Sequence, residues 1–535
     1  MQDDGTTQEI EERLSERLLG NETEYAESNN NNSNNAFRID GSNSGSNHVD
    51  FSASAMMEGG GDIIVDSSAR GGFGGPLQPE YRDAPFALAF LVHLGVVFFL
   101  AVTMGFSAFG QKESAQDPPN DNYYNDDAYD YGYKEDPGNY TPDDDDVQEP
   151  KMYVLLLLAL LTCAISIGLA ALSLRVMMHH AETLIQASLI GSCGFMAVIA
   201  IMFLIEGMFE VAGFWGIMLL ITAFYAHSVW ERIPFASSNL RAALSAIQTN
   251  GGVCAVAYGI SGLALIWTIV WGLAFVGVAV SCNAAGVCST MNVPMIFVMI
   301  LSFSWTMQVF QNVLHVTVSG VVGTWWFAPH DALSVFSPAI VDSFRRATTY
   351  SFGSICMGSL LVSIIQTMET MVRSSSRSNR GLLRCLCECI LRLLARLAIY
   401  FNRWAYCYVG LYGFDYLSSG KKAMELFQAK GWTTIITDNL VGRSLRLVAV
   451  VVGALSGFLG MLIGMAAGYD PSIFVPYFFI SLSMANILMN VVLSAVDTVI
   501  VAFAEAPAEF EMHHPALSNN MVLKWRQVFP DECGF

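Results

Sequence analysis

The sequence predicts an all-α polytopic membrane protein of about ten transmembrane helices with a disordered N-terminal tail. Three observations carry that prediction. Apolar residues make up 53% of the 535 positions and charged residues only 14%, against about 45–50% and about 25% in soluble domains. The apolar residues are gathered in blocks of about 20 or more, enough to cross roughly 30 Å of hydrocarbon at 1.5 Å per helical residue. Those blocks recur along most of the chain.

Residues 1–84 come first, rich in Asn, Ser, Gly and Glu and including the run Asn29 to Asn32. With no sustained apolar periodicity, they are expected to be a disordered cytoplasmic tail. They lack the basic stretch and apolar run of a cleaved signal peptide. Residues 85–109 hold the first transmembrane helix, centred on Phe86 to Phe109. Residues 110–150 form an acidic, Tyr-rich extracellular loop, and 151–505 the membrane core. Its apolar blocks fall at about 152–174, 183–205, 208–230, 252–280, 292–327, 347–372, 385–413, 441–467 and 473–504. Residues 506–535 complete the chain as a cytoplasmic C-terminal tail, since an even number of crossings puts both ends on one side.

The net charge of −20 is unevenly spread. Residues 1–84 carry 16 acids and 5 bases, residues 110–150 carry 13 acids and 2 bases, and the rest holds 18 acids and 20 bases. The membrane part is therefore nearly neutral. Orientation follows from the Lys/Arg bias of short loops. With the N-terminus cytoplasmic, inner loops hold Arg175, Arg232, Arg241, Arg345, Arg346, Lys421, Lys422 and Lys430. The outer turns at 206–210, 281–291 and 468–472 hold neither Lys nor Arg. Arg373, Arg377, Arg380 and Arg384 break the pattern. Either 347–372 is re-entrant, or the eighth block is interfacial, or this loop is an exception.

The outer placement of 110–150 makes Asn139-Tyr140-Thr141 a glycosylation sequon, with Pro142 directly after it. Asp143 to Asp146 read as a solvated acidic run rather than a Ca²⁺ loop, lacking the fixed Gly and terminal Glu of an EF-hand. Cys282 and Cys288 share one outer turn and are a candidate disulfide. Cys385, Cys387 and Cys389 do not match zinc-pair spacing, and free thiols or acylation sites at the membrane surface are the alternatives.

Polar side chains at membrane depth are costly, so a row of them on one helical face points to a pathway. In the tenth block Ser483, Asn486, Asn490, Ser494 and Asp497 follow at steps of three, four, four and three, on one face. In the sixth, Ser304, Gln308, Gln311, Asn312 and His315 cluster likewise, with Trp305 beside them. Two such stripes line a wet cavity or bond helix to helix. His315 is a proton-carrier candidate or a satisfied interhelical histidine. Glu206, Glu210 and Glu369 read as boundary residues. Trp325 and Trp326 fit an interfacial belt. Trp267 and Trp271, four apart and deeper, are candidates for holding an organic cation over their rings or for lipid-facing packing. Gly453, Gly457, Gly460, Gly464 and Gly468 follow small-xxx-small spacing, which close helix packing explains.

Familiar enzyme motifs are missing. No phosphate-cradling Gly-x-x-x-x-Gly-Lys-[Ser/Thr] occurs, and Ser418-Ser419-Gly420-Lys421-Lys422 lacks its leading Gly and final hydroxyl. No His-Glu-x-x-His pair or Gly-x-Ser-x-Gly elbow is present. The chain is not expected to be an enzyme, nor to need a metal or cofactor.

The run His315-Val316-Thr317-Val318-Ser319-Gly320 with Thr324-Trp325-Trp326-Phe327 resembles the sixth-span signature of the choline transporter-like family, solute carrier family 44. So do Ser343-Phe344-Arg345-Arg346-Ala347 and Ser351-Phe352-Gly353-Ser354-Ile355-Cys356-Met357-Gly358-Ser359-Leu360. The resemblance continues through the Cys-rich 385–389, Asn402-Arg403-Trp404-Ala405-Tyr406, Tyr412-Gly413, Ser418 to Ala423 and Val496-Asp497-Thr498. The His-Val-Thr-Val wording is closest to the fungal and protist branch.

This resemblance implies ten spans, cytoplasmic termini and transport of choline or a related amine such as ethanolamine, most naturally in the plasma membrane. The expected partners are membrane lipids and a small organic cation, and no nucleic acid. A quaternary ammonium offers no N–H donor, so aromatic faces and polar groups between helices would hold it. The candidate substrate-binding residues are Trp267, Trp271 and Trp305 as aromatic walls, with Gln308, Gln311, Asn312, His315, Asn486, Asn490 and Asp497 as polar contacts. The membrane potential or proton exchange would drive transport. An ion channel or lipid-handling protein, and a non-transporting scaffold, are the competing readings.

Overall fold

The computed structural model describes residues 80–105, 152–284, 288–332, 334–374, 382–431 and 440–530. The expectations for 1–79, for the acidic loop with Asn139, and for the Cys282–Cys288 pairing lie outside what is described. The described part is helical throughout, with no strand among the described residues.

In chain order the helices are α1 (Ala84–Leu100), α2 (Met152–Ile205), α3 (Phe209–Val229), α4 (Ile233–Thr249), α5 (Gly252–Ala284), α6 (Cys288–Phe327) and α7 (Pro338–Thr348). They continue with α8 (Phe352–Ser374), α9 (Leu382–Tyr412), α10 (Tyr416–Ala429), α11 (Leu440–Ala466), α12 (Phe474–Glu505), α13 (Pro507–His513) and α14 (Pro515–Val528). Eight helical stretches among the described residues are long and apolar enough to cross a membrane. Two features bring the ten apolar blocks to eight stretches. Blocks 152–174 and 183–205 form the single 54-residue α2, too long for one crossing and broken at His180 (φ −123°, ψ 35°). Block 385–413 becomes α9, whose Glu388, Arg392, Arg396 and Arg403 take it out of the apolar class.

Burial decides which helix is central. In α12, 83% of the apolar window is buried, against at most 39% in the other stretches. Around α12 pack α2, α4, α5, α6, α9 and α11. The α3 helix lies at the periphery, and Phe214, Leu220 and Phe224 face outward from it. Large exposed apolar side chains on α1, α2 and α3 form an outer surface suited to lipid, the inverse of a soluble protein's surface. Hydrogen bonds stitch the inner helices together: Ser166 donates to the carbonyl of Ser481 (2.8 Å), and Ser188 to Ser444 (2.7 Å). Gly453 and Gly457 of α11 face α12, and Gly460 lies closest to Thr162 of α2. A Cβ at Gly457 would stand 2.9 Å from the Phe478 Cα, so only glycine permits this approach.

The α8 and α9 helices run antiparallel along their full lengths. Glu369 meets Arg392 near one end (3.5 Å), and the Tyr406 hydroxyl donates to the carbonyl of Ile355 near the other (3.1 Å). Within block 347–372, α8 is one continuous helix long and apolar enough to cross a membrane. Arg373 and Arg392 are paired with Glu369 and Glu388, so much of the charge at this end is balanced.

Trp325 and Trp326, expected at an interface, are instead buried under the C-terminal helices. Trp326 stacks on Phe510 at 4.0 Å and donates to the carbonyl of Ala506 (3.1 Å). Trp325 stacks on His514 at 4.1 Å. The Trp525 indole donates to Asn239 of α4 (3.0 Å), so residues 507–528 are folded against the helical core. The rings of these tryptophans pack inside the protein.

Candidate functional site

The helices α6, α8, α9, α11 and α12 line a half-open cavity of about 390 Å³, within the range of small-ligand sites, with Gln311, Arg446 and Asn490 exposed at its mouth. The two polar stripes of the sequence meet there. Gln308, Gln311, Asn312 and His315 come from α6, and Asn490, Ser494 and Asp497 from α12. Between them α9 contributes Asn402, Arg403 and Tyr406, while α8 gives Val362 and Gln366 and α11 gives Arg446.

Asp497 and Arg403 form an ion pair at the wall of the cavity, Asp497 almost wholly buried and the Arg403 side chain 20% exposed. A buried carboxylate this deep requires such a partner, because its bare charge would cost far too much. Arg403 also lies over the Trp404 ring at 4.6 Å. The guanidinium is thus held from two sides.

His315 sits between the same helices. Its Nδ1 is 3.1 Å from Ser494 Oγ and its Nε2 is 3.5 Å from Cys407 Sγ. One turn further along, Thr498 donates to Ser319 (2.9 Å), tying α12 to α6. The approach of α9 to α6 rests on Gly410, where a Cβ would fall 2.5 Å from the Ser319 Cβ. This backbone contact carries Cys407 and Arg403, one and two turns before Gly410, up against α6 and α12.

The other polar groups are held by neighbours. Asn312 donates to Ser359 (2.9 Å), and Gln308 donates its amide to the Gln366 carbonyl oxygen (3.3 Å). Asn402 donates to the carbonyl of Gly358 (3.3 Å) and accepts from the Tyr416 hydroxyl. Tyr406, almost wholly buried and anchored through its hydroxyl to the carbonyl of Ile355, is the tyrosine among the cavity-lining residues.

Four predicted residues do not line this space. Trp267 and Trp271 pack with Val97, Ala101, Ala274 and Met299 between α5, α1 and α6, and Trp271 stacks on Phe275 at 5.3 Å. Trp305 turns toward α1 and α8, its ring 5.1 Å from Phe90 and its indole donating to the carbonyl of Cys356 (3.0 Å). Asn486 lies one turn from Asn490 on α12, outside the cavity lining. Arg403, Tyr406 and Gln366 were not picked out from the sequence as site residues. For Arg403 the signal was a basic residue, spaced from the other charges of α9, within a motif already noted.

Comparison with known proteins adds a separate line of support. A family model described as plasma-membrane choline transporter matches residues 213–508, more than half of the chain. The chain is 28% identical to a CTL-like protein of Dictyostelium discoideum over 446 residues, covering 82% of this chain and 74% of that protein. It is 27% identical to the protein PNS1 of Gibberella zeae, covering 61% and 63%, and 30% identical to PNS1 of Debaryomyces hansenii, covering 55% and 63%. The chain thus spans less than two thirds of the two fungal relatives. The matched residues include α6, α8, α9 and α12, which supply most of the cavity wall. The chain is a multi-pass integral membrane protein that belongs to the plasma-membrane choline transporter family, with relatives in Dictyostelium and fungi.

Proposed function

We propose that this protein carries choline or a related small amine, such as ethanolamine, across the plasma membrane, with the α6/α8/α9/α12 cavity as its binding site and both termini in the cytoplasm. The observation that carries the reading is the cavity itself. It is a half-open, mostly apolar space of about 390 Å³ between the helices, into whose wall Gln308, Gln311, Asn490 and Tyr406 bring polar and aromatic groups. Membership of a transporter family sets enzymatic action aside.

The chemistry at the site is specific about how a cation would be held. Arg403 already neutralises Asp497, so a quaternary ammonium meets no free carboxylate while that pair is closed. Amide oxygens and the Tyr406 ring supply the first contacts. Displacement of Arg403 from Asp497 by the incoming cation then couples occupancy to movement of α9 relative to α12. The membrane potential supplies about 2.3 kcal/mol per charge per 100 mV. Proton exchange at His315 or Asp497 is the other source.

The test is uptake of labelled choline into proteoliposomes under an imposed potential, with and without a pH gradient. Saturable uptake that is competed by ethanolamine and lost in Asp497→Asn is expected. Absence of saturable uptake by folded protein would overturn the proposal.

A further inference from the structure

A second cavity of about 360 Å³ lies between α6 and α8, lined by Ile300, Ser304, Gln366, Thr367, Glu369, Thr370 and Arg373. It shares one lining residue with the central cavity, Gln366. The order along each helix is stepwise. On α6, Ile300 and Ser304 line the second space and Gln308, Gln311 and His315 the central one. On α8, Arg373, Thr370 and Glu369 lie in the second space, Gln366 in both, and Val362 in the central one. At the junction Gln308 donates its amide to Gln366.

Two further features belong to this second space. The Thr367 hydroxyl is buried and has no hydrogen-bond partner among the described residues, which is costly unless water or a solute reaches it. At the rim, Arg373 and Arg392 alternate with Glu369 and Glu388: Arg373–Glu369 (2.7 Å) lies within α8 and Arg392–Glu388 (2.6 Å) within α9, while Arg392–Glu369 (3.5 Å) and Arg373–Glu388 (3.9 Å) tie α8 to α9. Two positive and two negative charges leave the rim balanced, so neither a cation nor a zwitterion is turned away by net charge.

We infer that the second cavity is an access vestibule of the central site, on the α8–α9 rim side, and that the Gln308–Gln366 amide pair is the gate between them. The inference rests on the central cavity being the binding site. A single neutral hydrogen bond suits a gate, since it opens at thermal cost and closes without trapping a charge. A cation passing it exchanges vestibule water for two amide oxygens, so the barrier stays polar throughout.

The test is labelling of introduced cysteines by a membrane-impermeant thiol reagent, added from the α8–α9 rim side to the full chain in liposomes. Thr370→Cys reports the vestibule and Ser494→Cys the central cavity, each against the parent chain whose own cysteines set the background. Thr370→Cys is expected to label readily, and Ser494→Cys slowly. Adding Gln366→Ala should speed labelling of Ser494→Cys about tenfold, as expected for loss of one restraining hydrogen bond, while leaving Thr370→Cys unchanged. Unchanged labelling of Ser494→Cys, or failure of Thr370→Cys to label in protein of normal thermal stability, would overturn the inference. The readout needs no transport, so a chain that fails to take up choline but shows this labelling pattern would sink the substrate assignment and leave the gate standing.

Discussion

Arg403 on α9 and Asp497 on α12 form an ion pair at the wall of the central cavity, joining two helices that otherwise bound it from different sides. Opening the cavity on that side requires the pair to separate or to move as one. Asp497 is almost entirely buried, and Arg403 is its ion-pair partner among the described residues.

Removing one member of the pair should therefore cost more than removing both. Asp497→Asn or Arg403→Gln alone is expected to destabilise the protein by about 3 kcal/mol, the lower end for a broken buried pair because Arg403 is partly exposed. The double variant should recover most of that loss. Thermal unfolding in detergent measures stability, and uptake of labelled choline should be absent in all three.

The tryptophans of α5 stack away from the cavity, so their effect on substrate should be small. Trp267→Phe and Trp271→Phe are expected to leave the KM for choline within about twofold, since each keeps an aromatic ring in the α1–α5–α6 packing. Tyr406→Leu should raise KM about fivefold, the loss of one cation–π contact of about 1 kcal/mol. A larger KM change in the tryptophan variants than in Tyr406→Leu would contradict the placement of the binding site.

Gly410 is the point where α9 touches α6. Gly410→Ala would put a methyl 2.5 Å from the Ser319 Cβ and 2.7 Å from the Val316 carbonyl. Forcing the helices apart should cost about 1–3 kcal/mol, the range of overpacked cores. Denaturation of the purified protein checks this, with Gly95→Ala, where a Cβ meets nothing within 4 Å, as the benign control.

Acidification should loosen the C-terminal helices. Burial against Trp325 lowers the pKa of His514 from its ordinary value near 6.5, only partly offset by the Trp325 carbonyl 3.1 Å away, and the neighbouring His513 lowers it further. The folded form thus resists protonation while the undocked form accepts it. Docking is at full strength above pH 6.5 and weakens as pH falls from there toward the lower folded value. Hydrogen exchange at residues 507–528 should speed up over that window, and the pH dependence should shrink in His514→Gln.

The membrane architecture was legible because hydropathy is a one-dimensional property. A block of apolar residues long enough to cross a bilayer announces itself wherever its partners lie, and so the ten blocks map onto the helices. The stripes of α6 and α12 were legible for a related reason, since steps of three and four place Gln308, Gln311 and His315, or Asn490, Ser494 and Asp497, on one face whatever the fold. Direction of that face was not legible. Trp267 and Trp271 share a face as their spacing says, but helix packing turned it toward Val97 and Ala101 rather than toward the cavity. The partner of Asp497 was hidden for the same reason. Local spacing sets the phase of side chains around one helix, whereas the rotation of each helix about its axis, and hence the meeting of Arg403 with Asp497 or of Gln308 with Gln366, is decided only when all the helices pack together.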